Sequence, residues 1–156
     1  MSKIKKFTAA NKELHAEAMK IRIAVFVEEQ HVPLEMEEEY EKECIHFLLF
    51  YHRKAVATAR YRRTDKGIKF ERFAILKQYR GKGLGYNIMR FMLTDVYPYH
   101  QRIYLNAQLT AVDFYKKAGF VIIGPKFDEA GIQHYPMEYI ANNSLEKALE
   151  KAICRR

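Results

Sequence analysis

A chain of 156 residues with a formal net charge of +8 is long enough for one domain with a sizeable core and too short for two. Hydrophobic residues make up 49% of it, yet no apolar run approaches the ~20 residues of a membrane span. The basic start Met-Ser-Lys-Ile-Lys-Lys has no apolar signal core behind it. Cys44 and Cys154 supply neither a disulfide framework nor a Cys-x-x-Cys metal pattern, so the economical expectation is a soluble, reduced, cytoplasmic protein outside the membrane. Residues 35–43 concentrate six Glu against one Lys, which leaves the remainder still more basic. That background suits a polyphosphate or nucleic acid. Without an Arg- and Asn-rich recognition helix or an aromatic–basic RNA motif, nucleic acid is not an expected partner.

In chain order, Lys3–Phe7 reads as a short strand. Leu14, Ala18, Ile21 and Val25 share one helical face and predict a helix from Lys12 to Val27, capped by Thr8 or Asn11 and closed before Pro33. The Glu-rich stretch follows as an exposed loop or short helix. Cys44–Tyr51 is a strongly apolar strand. Ala55–Arg62 returns from the His52-Arg53-Lys54 turn, and Ile68–Leu76 follows the Asp65-Lys66-Gly67 turn, so the three form an antiparallel meander. A glycine loop then opens a helix whose Leu84, Ile88, Phe91, Met92 and Val96 form one stripe. Arg102–Ala107 is the next strand. Thr110-x-x-Asp113 resembles a capping box and Gly119 suits a C′ position, which predicts a helix over Ala111–Ala118. Phe120–Ile123 and Gln133–Ile140 close as a hairpin around residues 125–131. Ser144–Ile153 is an amphipathic terminal helix with Leu145, Ala148, Leu149 and Ala152 on one face.

The most informative stretch is residues 70–86, an apolar strand feeding Arg80-Gly81-Lys82-Gly83-Leu84-Gly85-Tyr86. Three glycines remove the Cβ atoms that would keep a bulky anion off the backbone. Their N–H groups and the positive end of the following helix would meet that anion, with Arg80 and Lys82 beside it. A Walker loop needs Lys and Ser or Thr after its last glycine, where this chain has Tyr86 and Asn87. The dinucleotide fingerprint needs Gly-x-Gly-x-x-Gly and an acidic end to the next strand, whereas the next strand ends Asn106-Ala107-Gln108.

What remains, Arg80-x-x-Gly83-x-Gly85 after a strand, resembles the pyrophosphate loop of the GNAT N-acetyltransferases. The element order βααβββαβαββ over about residues 3–140 matches that family. Several runs are similar to its ElaA-like (YjcF-like) branch: Arg22-Ile-Ala-Val-Phe-Val-Glu-Glu-Gln30, His46-Phe47, Ala107-Gln108, Phe114-Tyr115, Gly119-Phe120 and Gly131-Ile-Gln-His134. The last departs from the branch's usual Gly-Ile-Pro-His by carrying Gln133. The resemblance implies an α/β (α+β) fold of the acyl-CoA N-acyltransferase type, with a mixed, mostly antiparallel sheet flanked by helices and strands 4 and 5 splayed. Residues 1–142 would form the acetyltransferase domain and 143–156 a helical extension of it.

It also implies a chemistry. Acetyl-CoA would be the co-substrate and a primary amine the acceptor, joined by direct attack through a tetrahedral intermediate. Backbone groups of Phe73, Ala74 and Ile75 would hold pantetheine and polarise the thioester, residues Arg80 to Tyr86 the pyrophosphate, and Gln108 another part of the cofactor. Tyr115 stands at the family's usual general acid; a phenol of pKa ~10 is protonated at neutral pH and can serve a thiolate whose free thiol titrates at ~8.5. For the base, Glu71, Glu29 and His134 compete with a water chain, while His46, in an apolar strand, reads as a core histidine. No metal is expected, since His31, His46, His52 and His134 show no ligand spacing. A small amine, an amino-sugar phosphate such as glucosamine 6-phosphate, and a protein amine all remain as acceptors. The acidic stretch 35–43 would draw in a cation, and Arg60, Arg62, Arg63 and Arg72 would suit a phosphate. The other class of function is a non-catalytic acyl-CoA-binding sensor, and chains of this kind can pair as homodimers.

Overall fold

A computed structural model describes residues 1–34 and 40–140. The terminal helix expected over Ser144–Ile153 and most of the acidic stretch lie outside the described residues. The chain forms two compact units. One comprises Met1–Arg63 and Phe70–Ile88; the other comprises Thr64–Lys69 and the chain from Met89 onward.

In the first unit, β1 (Ser2–Phe7), β2 (Ile45–Tyr51) and β3 (Lys54–Thr64) lie side by side, followed by β4 (Gly67–Ile75). Antiparallel pairing runs from Ser2↔Tyr51 to Phe7↔His46 and from Tyr51↔Lys54 to Ile45↔Tyr61. His52 and Arg53 both take left-handed φ values, 49° and 69°, the geometry of a two-residue turn matched to strand twist. Phe47, Leu48 and Leu49 are all fully buried, which explains an uninterrupted apolar run: this strand is covered on both faces.

Helix α1 (Lys12–Arg22) starts at Asn11, whose side chain accepts from the Leu14 N–H at 3.1 Å. Asn11 is therefore the cap and Thr8 is not; Thr8 lends its carbonyl to the Asn11 N–H instead. The α-helix predicted to Val27 ends at Arg22, and residues Ile23–Glu29 continue as a π-helical turn, closed by the Gln30 N–H on the Val25 carbonyl. Wider turns of this kind are rare and recur at functional sites.

In the second unit the start of β4 pairs in parallel with β5 (Ile103–Gln108) at Ile68↔Ile103 and Lys69↔Tyr104. Strand β8 (Ile132–Tyr139) lies antiparallel to β5, from Gln108↔His134 to Tyr104↔Glu138. The C-terminal hairpin proves to be three-stranded. β6 (Phe120–Ile122) pairs with the end of β8 and β7 (Phe127–Glu129) with its start, turning through Ala130 and Gly131. Gln133, the departure from Gly-Ile-Pro-His, lies in β8 opposite Asp128, past that turn. Helix α2 (Leu84–Val96) buries Leu84, Ile88, Met92 and Val96 as predicted, and Met89 and Leu93 besides. Helix α3 covers only Val112–Lys117, after a 3-10 turn at Leu109–Ala111. No side chain caps it, so the capping box read at Thr110 does not form. Gly119, at φ 106°, does close it.

Gly67 is where the β3–β4 turn meets β5. Its φ is +132°, and a Cβ there would lie 2.3 Å from the Arg102 carbonyl oxygen, which accepts from the Ile68 N–H at 2.7 Å. Gly67→Ala is expected to cost roughly 2–4 kcal/mol, measured as a lower urea midpoint at unchanged m.

Candidate active site

The glycine loop is built as the sequence suggests, with a division of labour among its glycines. Gly81 and Gly83 hold φ values of 79° and 78°, a region that side chains rarely enter. A Cβ built on either would meet nothing within 4 Å, so open space lies over the backbone. Gly85 sits inside the first turn of α2 and is buried. The Asn87 N–H closes the first α-turn on the Gly83 carbonyl at 3.2 Å. The amides of Leu84, Gly85 and Tyr86 are therefore the leading N–H groups of a thirteen-residue helix, at its positive end.

Arg80 is engaged elsewhere. Its Nε donates to the Ile75 carbonyl at 2.9 Å, while Nη1 and Nη2 donate to the two carboxylate oxygens of Glu29 at 2.8 and 2.9 Å. That hydrogen bond and the Arg80 charge hold the Glu29 carboxyl below the ordinary carboxylate range. Ahead of the loop, Ala74 is buried, and Phe73 and Ile75 are half-buried on β4. Glu71 opens that stretch with its carboxylate between Arg60 Nη2, at 3.2 Å, and Arg62 Nε, at 3.0 Å.

A second, half-buried carboxylate is not evident from the sequence. Glu41, in the short 3-10 turn Glu41–Glu43, accepts from Arg22 Nη2 at 2.6 Å, from Arg60 Nη1 and from His15 Nε2. Arg22 and Arg60 are each only 1% exposed. His46 is buried, stacks on Phe7 and donates from Nε2 to the Glu41 carbonyl at 3.1 Å. The signal was present: an arginine in the apolar run Val56–Tyr61 cannot be buried without a carboxylate to answer it. Two expectations are thereby corrected. Arg60 and Arg62 are not spare phosphate ligands, because Glu41 and Glu71 hold them and Arg62 also lies over the Tyr40 ring at 3.9 Å. Nor is all of the acidic stretch solvated, since Glu41 faces inward.

His15, Glu41 and His46 bring their ligand atoms within 4.8 Å of one another. A cation placed there would displace the proton His46 gives to the Glu41 carbonyl and crowd the Arg22 and Arg60 guanidiniums. The trio is an ion-pair hub. Burial opposes ionisation of Glu41, but Arg22 and His15 overcome it and hold the carboxyl down at about 2. Burial pushes the His46 imidazole below its ordinary value, against the Glu41 carbonyl and charge, and drives the Cys44 thiol up to about 11.

In the second unit, Gln108 and His134 stand directly opposite one another in the β5–β8 register, where side chains share a face. The His134 ring is buried and stacked on Phe127, and its Nδ1–H donates to the Ile132 carbonyl at 2.7 Å. The bond fixes the tautomer in which Nε2 carries the lone pair; Glu129 Oε2 lies 3.7 Å from it. Tyr115, on α3, is buried against Phe114 and Phe120 with ring centroids 5.1 and 6.0 Å away. Burial raises the pKa of its phenol well above the usual value.

This fold and this loop are those of acyl-CoA-dependent acyltransferases. The family described as "Acetyltransferase (GNAT) domain" matches residues 9–141. The Bacillus subtilis protein named "Uncharacterized N-acetyltransferase YjcF" is 38% identical over 137 residues, covering 86% of this chain and 98% of its own length. The crystal structure of Escherichia coli ElaA superposes with a TM-score of 0.78 at 25% identity, covering 90% of this chain and all of that one. A Pseudomonas aeruginosa acyl-CoA N-acyltransferase gives 0.79 at 24% identity with the same coverage. The chain belongs to the GNAT acetyltransferase family, on its ElaA- and YjcF-like side, and is an acyl-CoA-dependent N-acetyltransferase.

The hub gives stability a defined pH dependence. Both shifted groups are depressed in the folded state, so each contributes above its unfolded value and loses that contribution as pH falls. Urea titrations should show one loss below pH ~6.5 as His46 is forced to charge, and a second between ~4.5 and ~2 from Glu41. Glu41→Gln should cost about 3 kcal/mol at neutral pH and blunt the second loss.

Proposed function

We propose that this chain moves the acetyl group of acetyl-CoA to a primary amine by direct attack, within one acetyltransferase domain spanning residues 1–142. The observation that carries the reading is the loop from Arg80 to Tyr86, with two left-handed glycines under open space and a helix start behind them. Such backbone amides suit a diphosphate. Lys82 is exposed beside them. Backbone groups of Phe73, Ala74 and Ile75 would hold the pantetheine arm and polarise the thioester carbonyl, and the Gln108 amide would contact the cofactor.

Of the three candidates for the base, His134 is the best suited. Both oxygens of Glu29 are bound to Arg80, and Glu71 is shared by Arg60 and Arg62. His134 keeps a lone pair on Nε2 with its tautomer set by Ile132. It would take the amine proton as nitrogen attacks the carbonyl carbon. Tyr115 would supply the departing sulfur. Its raised pKa disfavours outright transfer to a thiolate whose own acid titrates at ~8.5, so it acts first as a hydrogen-bond donor. The acceptor, a small amine, an amino-sugar phosphate or a protein amine, would offer its neutral form to the imidazole.

Calorimetry with acetyl-CoA, followed by an amine panel read by free-thiol release, tests this reading. Binding with thiol release supports it; no binding overturns it, and binding without release across the panel leaves a sensor. Gly83→Glu should abolish acetyl-CoA binding. Tyr115→Phe and His134→Gln should each lower kcat by roughly 10²-fold or more with acetyl-CoA affinity kept, and Tyr115 should impose no alkaline limb below pH ~10.

A further inference from the structure

The Arg80 guanidinium uses three of its five donors inside the protein, two of them in a parallel fork on Glu29. The fork fixes the plane of the side chain as well as its charge. It fastens the residue next to Gly81 at two points, the end of β4 at Ile75 and the last residue of the π-helical turn Ile23–Glu29. The loop needs such a fastening. Gly81 and Gly83 sit two residues apart in left-handed conformations that a free glycine samples no more readily than others, and ordering them costs more backbone entropy than any other residue type would.

We propose that Glu29 is a positioning residue for the phosphate loop: acting through Arg80, it holds the Gly81–Gly83 backbone in its receiving conformation, and it takes no proton in the reaction. The proposal rests on reading that loop as the acetyl-CoA site. It has a sharp competitor. If Arg80 instead leaves Glu29 to neutralise the pyrophosphate, Glu29 competes with the ligand, and removing it tightens binding. The two accounts differ in sign. A third, Glu29 as general base, predicts a loss of turnover with acetyl-CoA affinity intact.

The side chains of Arg80 and Glu29 are 39% and 37% exposed, so solvent screens the pair and the effect is moderate. In the full chain, Glu29→Ala and Glu29→Gln should each weaken acetyl-CoA binding by about three- to tenfold. Arg80→Lys, which keeps the charge and loses the fork, should weaken it comparably. At saturating acetyl-CoA, kcat of Glu29→Gln should stay within about twofold of the parent, with a superimposable pH profile. Amide hydrogen exchange of the peptide covering residues 80–86, measured without any ligand, should quicken several-fold in both Glu29 variants. Tighter binding in Glu29→Ala overturns the proposal, as does a lost pH limb in Glu29→Gln or unchanged exchange over 80–86. Because the exchange measurement needs no acetyl-CoA, a parent chain that fails to bind it would sink the functional reading and still leave the clamp decided.

Discussion

An arginine buried inside an apolar strand has to be answered by a carboxylate, and much of the first unit is arranged around that requirement. Arg60 stands in the middle of β3 and Arg22 on the inner face of α1, both almost wholly out of water. Glu41 answers both, and Glu71 answers Arg60 a second time. Removing one member would strand a charge whose desolvation is worth several kcal/mol. The hub therefore binds together helix, strands and the Glu41–Glu43 turn more specifically than apolar contact could, since apolar packing carries no direction.

The same pairing decides what chemistry is left over. In the first unit guanidinium answers the carboxylates nearest the candidate site: Arg22 and Arg60 pair with Glu41, Arg60 and Arg62 with Glu71, and Arg80 with Glu29. A carboxylate matched in this way has its charge answered by its partner, which makes it a poorer proton acceptor. The net charge of +8 also reads differently once these pairs are drawn. Several arginines that look available in the sequence are structural, and exposed Lys77 and Lys82 flank Arg80 in the sequence leading into the loop.

Much of this was legible in the chain because the signals were local. The strand, glycine loop and helix around Gly83 follow from spacing alone, as do the stripe of α2 and the alternation of β5, whose Ile103, Leu105 and Ala107 face inward. The π-helical turn at Ile23–Glu29 was not legible, because its residues keep an apolar period that suits an α-helix equally well. Thr110 failed as a cap because a 3-10 turn intervenes, and such turns have weak sequence signatures. The ion-pair hub depends on contacts between residues such as Arg22 and Glu41 or Arg60 and Glu71 that only the folded chain brings together. The position of Arg60 in an apolar strand implies a partner once the strand is buried, but nothing in the chain says which of the glutamates it would be.

Tyr115 and His134, the two side chains proposed to act on the thioester and the amine, sit in opposed environments. On α3 the Tyr115 phenol is enclosed by aromatic rings that offer its anion no stabilisation, so it stays protonated through any physiological pH. On β8 the His134 imidazole donates from Nδ1 to the Ile132 carbonyl, and its opposite nitrogen lies 3.7 Å from Glu129 Oε2. Burial alone would make both inert. What separates them is the hydrogen-bond geometry of the neighbouring backbone: the Ile132 carbonyl, two residues from the ring, takes the Nδ1 proton and turns Nε2 the other way. In its neutral form an imidazole so oriented accepts a proton without first having to lose one, which the enclosed phenol cannot do, and unlike Glu41, Glu71 and Glu29 it has no guanidinium within its ion pairs among the described residues.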